Sequence, residues 1–325
     1  MSFSSTAKSE VSRKLSQNSC CVKAAVAAFL KFAGSIYELD GTFSFKTSFE
    51  NAQTARSFFL LMKNGFSKHC EVSIKKNSKL QKNYVYTIFL PPSSDNIGVL
   101  KDLHFVRKGA KEYHLSFSLK EELVKKKCCR KAFLQATFLS CGSITNPEKM
   151  YHLEFDVKTK DDAEFLQKVL KSFEFEAKIV ERKSHYVVYL KEGEQIVDFL
   201  NIIGAHSSLL ELENIRIVKE LRNNVNRLVN CETANLEKTI NASMRHIENI
   251  EFIERTIGID SLPQNLQEIA RLRIKYKDAS LKELGSMLKN PLGKSGVNHR
   301  LRKIDKIAEE LRKGGIVYAK PSHED

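Results

Sequence analysis

The chain has no Cys-x2-Cys spacing, no apolar run long enough to cross a membrane, and neither glycine nor proline between residues 205 and 257. The first absence removes the usual frame of a zinc ribbon or finger, and His69-Cys70 stands alone. Seven cysteines is an odd number, and four of them form the adjacent pairs Cys20-Cys21 and Cys128-Cys129, which do not easily close a disulfide on themselves. They read as small buried residues in a reducing cytosol, so neither a metal nor a cofactor is expected. The opening "MSFSSTAKSEVSRKLSQ" lacks a signal-peptide core, and the apolar run from Ala24 to Gly34 is short and broken by Lys31. A soluble, cytoplasmic protein without a membrane partner is the expectation. The third absence predicts a long helix or helix pair over 205–257.

Acid is also scarce. Against 53 Lys and Arg stand 39 Asp and Glu, giving a net charge of +14 and a pI near 9.3. An excess of this size points to a polyanionic partner, most often nucleic acid. The surplus is concentrated: residues 261–320 carry fourteen Lys or Arg and six Asp or Glu, a net +8.

What is present twice organises the rest. "CCVKAAVAAFLKFAGSI" at 20–36 returns as "CCRKAFLQATFLSCGSI" at 128–144, displaced by 108 positions. The first copy is followed by "GTFSFKTS", "NAQTARSFFLLMKNGF", "CEVSIKK" and "YVYTIFL"; the second by "YHLEFDVKT", "DDAEFLQKVLKSFEF", "AKIVERK" and "YVVYL". Each half reads helix, strand, helix, β-hairpin, helix, with apolar residues alternating in the strands. Two copies near a hundred residues each predict a pseudo-twofold α+β domain rather than a solenoid. "SLKEEL" at 118–123 predicts a capping box of Ser118 with Glu121 at the start of the second half. The expected organisation is an N-terminal helix at 1–17, a duplicated domain at 18–206 with halves at about 18–105 and 119–206, a helical linker at 207–260 and a last domain at 261–320. The linker is rich in asparagine (Asn223, Asn224, Asn226, Asn230, Asn235, Asn241), a mediocre helix former. It is either a solvated surface or one that hydrogen-bonds a partner.

The last segment predicts three helices. "LPQNLQEIARLRIKY" turns Leu266, Ile269, Ala270 and Ile274 to one face, and "SLKELGSML" opens with Ser280 and Glu283 as a capping box. After the turn "KNPLGKS", a helix capped by Ser295 faces Val297, Leu301, Ile304 and Ile307 inward. This is the pattern of a helix-turn-helix with the last helix as reader. The candidate contacts within 279–312 are Ser280, Lys282, Lys294, Ser295, Gly296, Asn298, His299, Arg300, Arg302 and Lys303. Asparagine pairs bidentately with adenine, arginine with guanine, and lysine meets phosphate. Gly296 leaves room for a phosphate at the helix start. In the first half the loop "KKNSKLQK" places Lys75, Lys76, Lys79 and Lys82 as phosphate contacts, while the matching "ERKSHY" carries less charge. The first half is thus expected to be the stronger DNA contact of the two.

"FAGSIYELDG" at 32–41 resembles the LAGLIDADG motif of homing endonucleases. The resemblance implies two αββαββα units packed through paired helices, with Gly34 and Gly142 at the contact, and a saddle of two sheets over DNA. It also implies an acid in each copy for a divalent metal. Here Asp40 is displaced by one position, and the second copy reads Thr145, Asn146 and Pro147. Cleavage by two metals needs carboxylates from both halves, so a catalytic site is not expected. Together with "VNRLVNCETAN" and "SLKELGSMLKNPLGKSGVNHRLRKI", the chain is identified as a member of the WhiA family of sporulation and cell-division regulators. That membership implies a nucleoid-associated regulator that binds double-stranded DNA, with roles in transcription, division or chromosome segregation and no small-molecule substrate. A second transcriptional regulator or a polymerase component is a further expected partner. The competing readings are an active LAGLIDADG-type endonuclease and a co-regulator that docks proteins and holds DNA weakly.

Overall fold

The computed structural model describes residues 2–76, 84–108 and 113–314, which fall into two compact units, Met1–Glu220 and Leu221–Asp325. The first unit opens with α1 (Phe3–Ser12) and then repeats one topology twice. The first copy is α2 (Ser19–Ala33), β1 (Gly34–Leu39), β2 (Thr42–Phe49), α3 (Ala52–Phe66), β3 (Glu71–Lys76), β4 (Tyr84–Ser93) and α4 (Ile97–Asp102). A short ribbon of β5 (Val106–Lys108) and β6 (Tyr113–Leu115) leads to the second copy. That copy is α5 (Lys127–Cys141), β7 (Gly142–Ile144), β8 (Leu153–Val157), α6 (Lys160–Lys171), β9 (Lys178–Arg182), β10 (His185–Leu190) and α7 (Gly193–Ile203). The antiparallel sheets run β1-β2-β4-β3 and β7-β8-β10-β9, the same order in both halves. The strand that directly follows each glycine, β1 or β7, is absent from a reading of helix, strand, helix and hairpin. The chain passes from helix to strand there with no turn residues between.

The paired helices α2 and α5 form the centre. Ala24, Ala25, Ala27 and Ala28 of α2 and Ala132 and Ala136 of α5 are all buried. Phe32 meets Phe133 edge-on across the pair, at 6.1 Å between ring centroids. Phe29 contacts Phe49 and Phe58 in its own half, and Phe138 contacts Phe199 in the other. The two glycines act differently from the expectation. A Cβ on Gly34 would lie 2.5 Å from the carbonyl oxygen of Leu30, and one on Gly142 would lie 2.6 Å from the Phe138 ring and 2.9 Å from the Phe138 oxygen. The nearest atoms belong to the last turn of each glycine's own helix, not to the opposite helix. Gly34 and Gly142 are needed because the chain leaves the helix directly into an extended strand folded against that turn. Buried alanines lie one to three turns earlier in each helix.

Helix starts repeat with the same 108-residue offset. Asn51 accepts from the backbone N–H groups of Gln53 and Thr54 at 2.9 and 3.0 Å, and Thr159 accepts from that of Asp162 at 3.2 Å. The expected capping box at Ser118 does not form. Glu121 begins a short 3-10 turn and pairs with Lys168, while the Ser118 and Ser116 hydroxyls lie 3.2 Å apart. Helix α1 packs Phe3, Ala7 and Val11 into the core. Its Glu10 carboxylate accepts from the N–H groups of Ser207 (2.8 Å) and Ser208 (3.2 Å), capping α8 (His206–Thr256). Partial burial raises the Glu10 pKa, but these hydrogen bonds outweigh it and hold the carboxyl below its ordinary value.

The 51-residue α8 is a single helix, which decides between the long helix and the helix pair that the sequence left open, and residue 220, where the two units divide, lies within it. The second unit continues with α9 (Gln264–Lys275), α10 (Leu281–Ser286) and α11 (Lys294–Arg312). These helices close a core with Ile250 and Ile253 from the end of α8.

One buried ion pair joins the halves of the first unit. Lys31 of α2 sits 3.0 Å from Asp162 of α6, with side chains 12% and 7% exposed, and donates to the Phe117 carbonyl at 2.5 Å. Removing one partner of such a pair strands the other charge in a low-dielectric site. Asp162→Ala should therefore destabilise the first unit by about 3 kcal/mol in denaturant unfolding. A loss indistinguishable from that of a surface substitution would show that Lys31 reaches water instead.

Candidate nucleic-acid interface

The helix-turn-helix is built from α10, a turn and α11. Ser280 accepts from the Glu283 N–H at 3.3 Å and the Glu283 carboxylate accepts from the Ser280 N–H at 2.7 Å, so the predicted capping box is present. Gly285 is buried at the back of α10, where the Leu292 carbonyl occupies the space a Cβ would need. The Leu292 N–H donates back to the Gly285 oxygen at 3.0 Å, closing the turn. Only glycine permits this approach. Leu284, Leu288, Val297, Leu301 and Ile304 fill the angle between the helices. The start of α11 differs from the expectation: Gly293, not Ser295, is the N-cap, and no side chain caps the helix. Ser295 lies inside the first turn with an exposed side chain.

Two polar anchors hold the unit. Arg273, at the end of α9, is buried and donates to the carbonyls of Ala279 (2.7 Å) and Lys277 (3.3 Å), which fixes the loop before α10. Asp305 of α11 accepts from Asn249 Nδ2 at 2.8 Å and faces His246 Nε2 at 3.4 Å and Arg245 at 3.3 Å, all on α8. Burial pushes the Asp305 carboxyl up, but hydrogen bonding and charge from His246, Asn249 and Arg245 outweigh it and hold the group below its ordinary value.

On the outer side of α11, Lys294, Ser295, His299, Arg302 and Lys303 are exposed, and Asn298, Arg300 and Gly296 are partly so. There is no acid in the first turn; Asp305 is turned inward, and Glu310 pairs with Lys306. Among the described residues, none of Lys282, Lys294, Arg300, Arg302 and Lys303 has an acidic partner. A Cβ on Gly296 would make only ordinary contact with Leu292, so the protein itself does not demand glycine there. Ser280 has its hydroxyl committed to the cap, which makes it a weaker contact candidate than its neighbour Lys282.

The sheets of the first unit differ in charge. Cross-strand register puts Ser35, Lys46, Ser48, Thr87, Ser73 and Lys75 on the face of the first sheet turned away from the helices. In the second, Glu154 and Asp156 occupy the centre of that face, each with a histidine: His152 at 3.1 Å and His185 at 3.0 Å. The same register also puts the exposed Lys178 and Arg182 at the edge of the second face and the exposed Glu71 at the edge of the first, so the two differ mainly at their central strands, Lys46 against Glu154 and Asp156. Lys75 and Lys76 are exposed at the end of β3, whereas Lys79 and Lys82 lie outside the described residues. Lys46 was not among the sequence candidates. It belongs to this face only through its pairing with Ser35 and Phe89.

The acid positions are also settled by local geometry. Asp40 and Gly41, with φ of 48° and 71°, form the two-residue turn between β1 and β2, in which Leu39 pairs Thr42. Both residues in the left-handed region define a type I′ hairpin, so Asp40 serves the turn. The second copy presents Thr145, Asn146 and Pro147, none of which is an acid. These residues do not fit a pair of divalent metals held between the halves.

Three family descriptions match along the chain: a WhiA N-terminal LAGLIDADG-like domain at 19–106, a WhiA LAGLIDADG-like domain at 130–222, and a WhiA C-terminal helix-turn-helix domain at 225–308. The chain belongs to the WhiA family. A probable cell division protein WhiA of Caldicellulosiruptor bescii is 95% identical over the full length of both chains, and one of Alkaliphilus metalliredigens is 49% identical over 96% of this chain and 99% of its own. A crystal structure of full-length WhiA from Thermatoga maritima superimposes with a TM-score of 0.58 at 28% identity, covering 95% of this chain and 99% of that one. No helix among the described residues is long and apolar enough to cross a membrane.

Along α8 the six linker asparagines are exposed, and so is an apolar row that the composition of the segment conceals. Leu221, Val225, Leu228, Leu236, Ile240 and Met244 recur at spacings of mostly three or four residues and are each about half exposed. Counting at helical period would have found this row.

The depressed Asp305 value carries a sign. A group whose folded pKa lies below its unfolded value, about 3.9 for aspartate, stabilises above that value and stops doing so as pH falls through the folded one. Lowering the pH from neutral to about 3 should lower the melting temperature of the second unit. Asp305→Asn should lower the melting temperature at neutral pH and flatten the acid decline. An acid limb identical to that of the parent would remove this cluster from the anchor role.

Proposed function

We propose that this WhiA-family protein is a sequence-specific DNA-binding regulator, acting in transcription and in cell division or chromosome segregation, with α11 as the major-groove helix. The observation that carries this reading is the outer face of α11. It presents three cations without an acidic partner, Lys294, Arg302 and Lys303, interleaved with Ser295, Asn298 and His299. Charges left unpaired by their own protein are available to phosphates, and asparagine and arginine supply the donors that distinguish bases. The first sheet, with Lys46, Lys75 and Lys76, adds backbone contacts, while the second has Glu154 and Asp156 at the centre of the matching face. Without carboxylates from both halves, the reading includes no cleavage.

Sequencing of DNA recovered with the cross-linked protein from cells identifies the target site. Binding to that site is then measured by anisotropy against salt. Arg302→Ala should cost roughly 1–3 kcal/mol and relax preference at one position. A binding curve unchanged by the substitution would exclude Arg302 as a base contact. Lys75→Ala should weaken all sequences alike and lower the salt slope by about one contact. An unaltered slope would return the first sheet to the role of scaffold.

A further inference from the structure

Four thiols meet at one place in the first unit. Cys20 and Cys21 lie in the first turn of α2, and Cys128 and Cys129 in the first turn of α5. Packing of the two helices brings these turns together. All four Sγ atoms lie within 4.8 Å of one another, at 4.0 Å within each adjacent pair. Of the four cysteines expected to be small buried residues, Cys21 and Cys129 are buried, Cys20 is half-buried and Cys128 is exposed. Spacing along the chain could not reveal the cluster, because each helix supplies an adjacent pair and the set is completed only by the pseudo-twofold packing.

We propose that Cys20, Cys21, Cys128 and Cys129 form a tetrathiolate site for one zinc ion that clamps the starts of α2 and α5. Zinc held by four cysteines has Zn–S bonds of about 2.3 Å, which set the sulfur–sulfur edges of its tetrahedron near ~3.8 Å. The thiols need contract by no more than about 1 Å along the longest edge. An all-sulfur set selects zinc or another thiophilic ion over magnesium or calcium.

The surroundings fit an anionic centre. Neither helix has an acid in its first turn, and neither Asn18 nor Lys126 caps its helix with a side chain. Two positive helix ends converge on the cluster without a side-chain anion of their own. A cleft of about 330 Å³ opens beside it, lined by Cys20 and Cys129, by Lys125 and Lys126, by Glu122, and by Lys23 in its ion pair with Asp102. It gives an ion access and places ammonium groups near the complex. One Zn²⁺ displaces four thiol protons to water and leaves a centre of net charge −2.

The full-length chain, reduced and stripped by chelator, is titrated with zinc and then with cobalt(II) as a spectroscopic probe. One equivalent should bind per chain, with thiolate charge-transfer absorption and the intense visible bands of tetrahedral cobalt, and zinc should raise the melting temperature. Cys20→Ser and Cys128→Ser should each weaken binding more than about tenfold, the lower end of the cost of losing an outer-shell partner alone. Cys231→Ser, on the exposed stretch of α8, should bind as the parent does. If the serine variants fail to fold, the cobalt spectrum of the parent decides the matter. Absence of stoichiometric binding, a spectrum without thiolate absorption, or affinity unchanged in Cys20→Ser would overturn the site. Recovery of the four cysteines as disulfides from reduced cells would do the same.

Discussion

Close packing of α2 against α5 is the constraint on which the first unit depends. Ala24, Ala25, Ala27, Ala28, Ala132 and Ala136 are buried on these helices, Phe32 meets Phe133 across the pair, and Phe29 and Phe138 reach into their own halves. Each helix must end where its sheet begins, so the chain turns at Gly34 or Gly142 and pairs at once with the next strand. Both sheets inherit their position from that one contact. The thiols at the opposite ends of the same helices meet for the same reason.

A duplicated scaffold need not keep duplicated chemistry. Thr54 and Asp162 occupy equivalent places at the starts of α3 and α6, yet only Asp162 holds a lysine from the other half. Lys46 and Glu154 occupy equivalent places on the outward face of a central strand, with opposite charge. The second unit concentrates the positive charge instead. There, Asp305 is turned inward to hold α11 against α8, and Lys294, Arg300, Arg302 and Lys303 of α11 have no acidic partner among the described residues.

Much of this was legible in the chain. The 108-residue repeat, the helical stretch across 206–256 and the box of Ser280 with Glu283 follow from local periodicity and capping, which depend on neighbours a few residues apart. The inward row Val297, Leu301 and Ile304 was legible for the same reason. The readings that changed were those where two local solutions compete. Ser118 has the pattern of a cap, but Glu121 has a cation, Lys168, within reach from another helix. Ser295 has the chemistry of a cap, but the turn after α10 starts the helix at Gly293, two residues earlier. Asp40 resembles a displaced catalytic acid, and its backbone shows a hairpin turn.

By itself the sequence determined the pseudo-symmetry of the first unit, the order of its elements apart from β1 and β7, the location of the excess positive charge and the helix that presents it. These depend on periodicity, composition and contacts close along the chain. Only the tertiary structure decided which charges are neutralised and which groups converge across long separations. It turned Lys46 and Glu154 outward, buried the Lys31–Asp162 pair, and gathered four cysteines from positions 108 apart. Interactions of that kind act through space, and chain spacing carries no trace of them until the helices have packed.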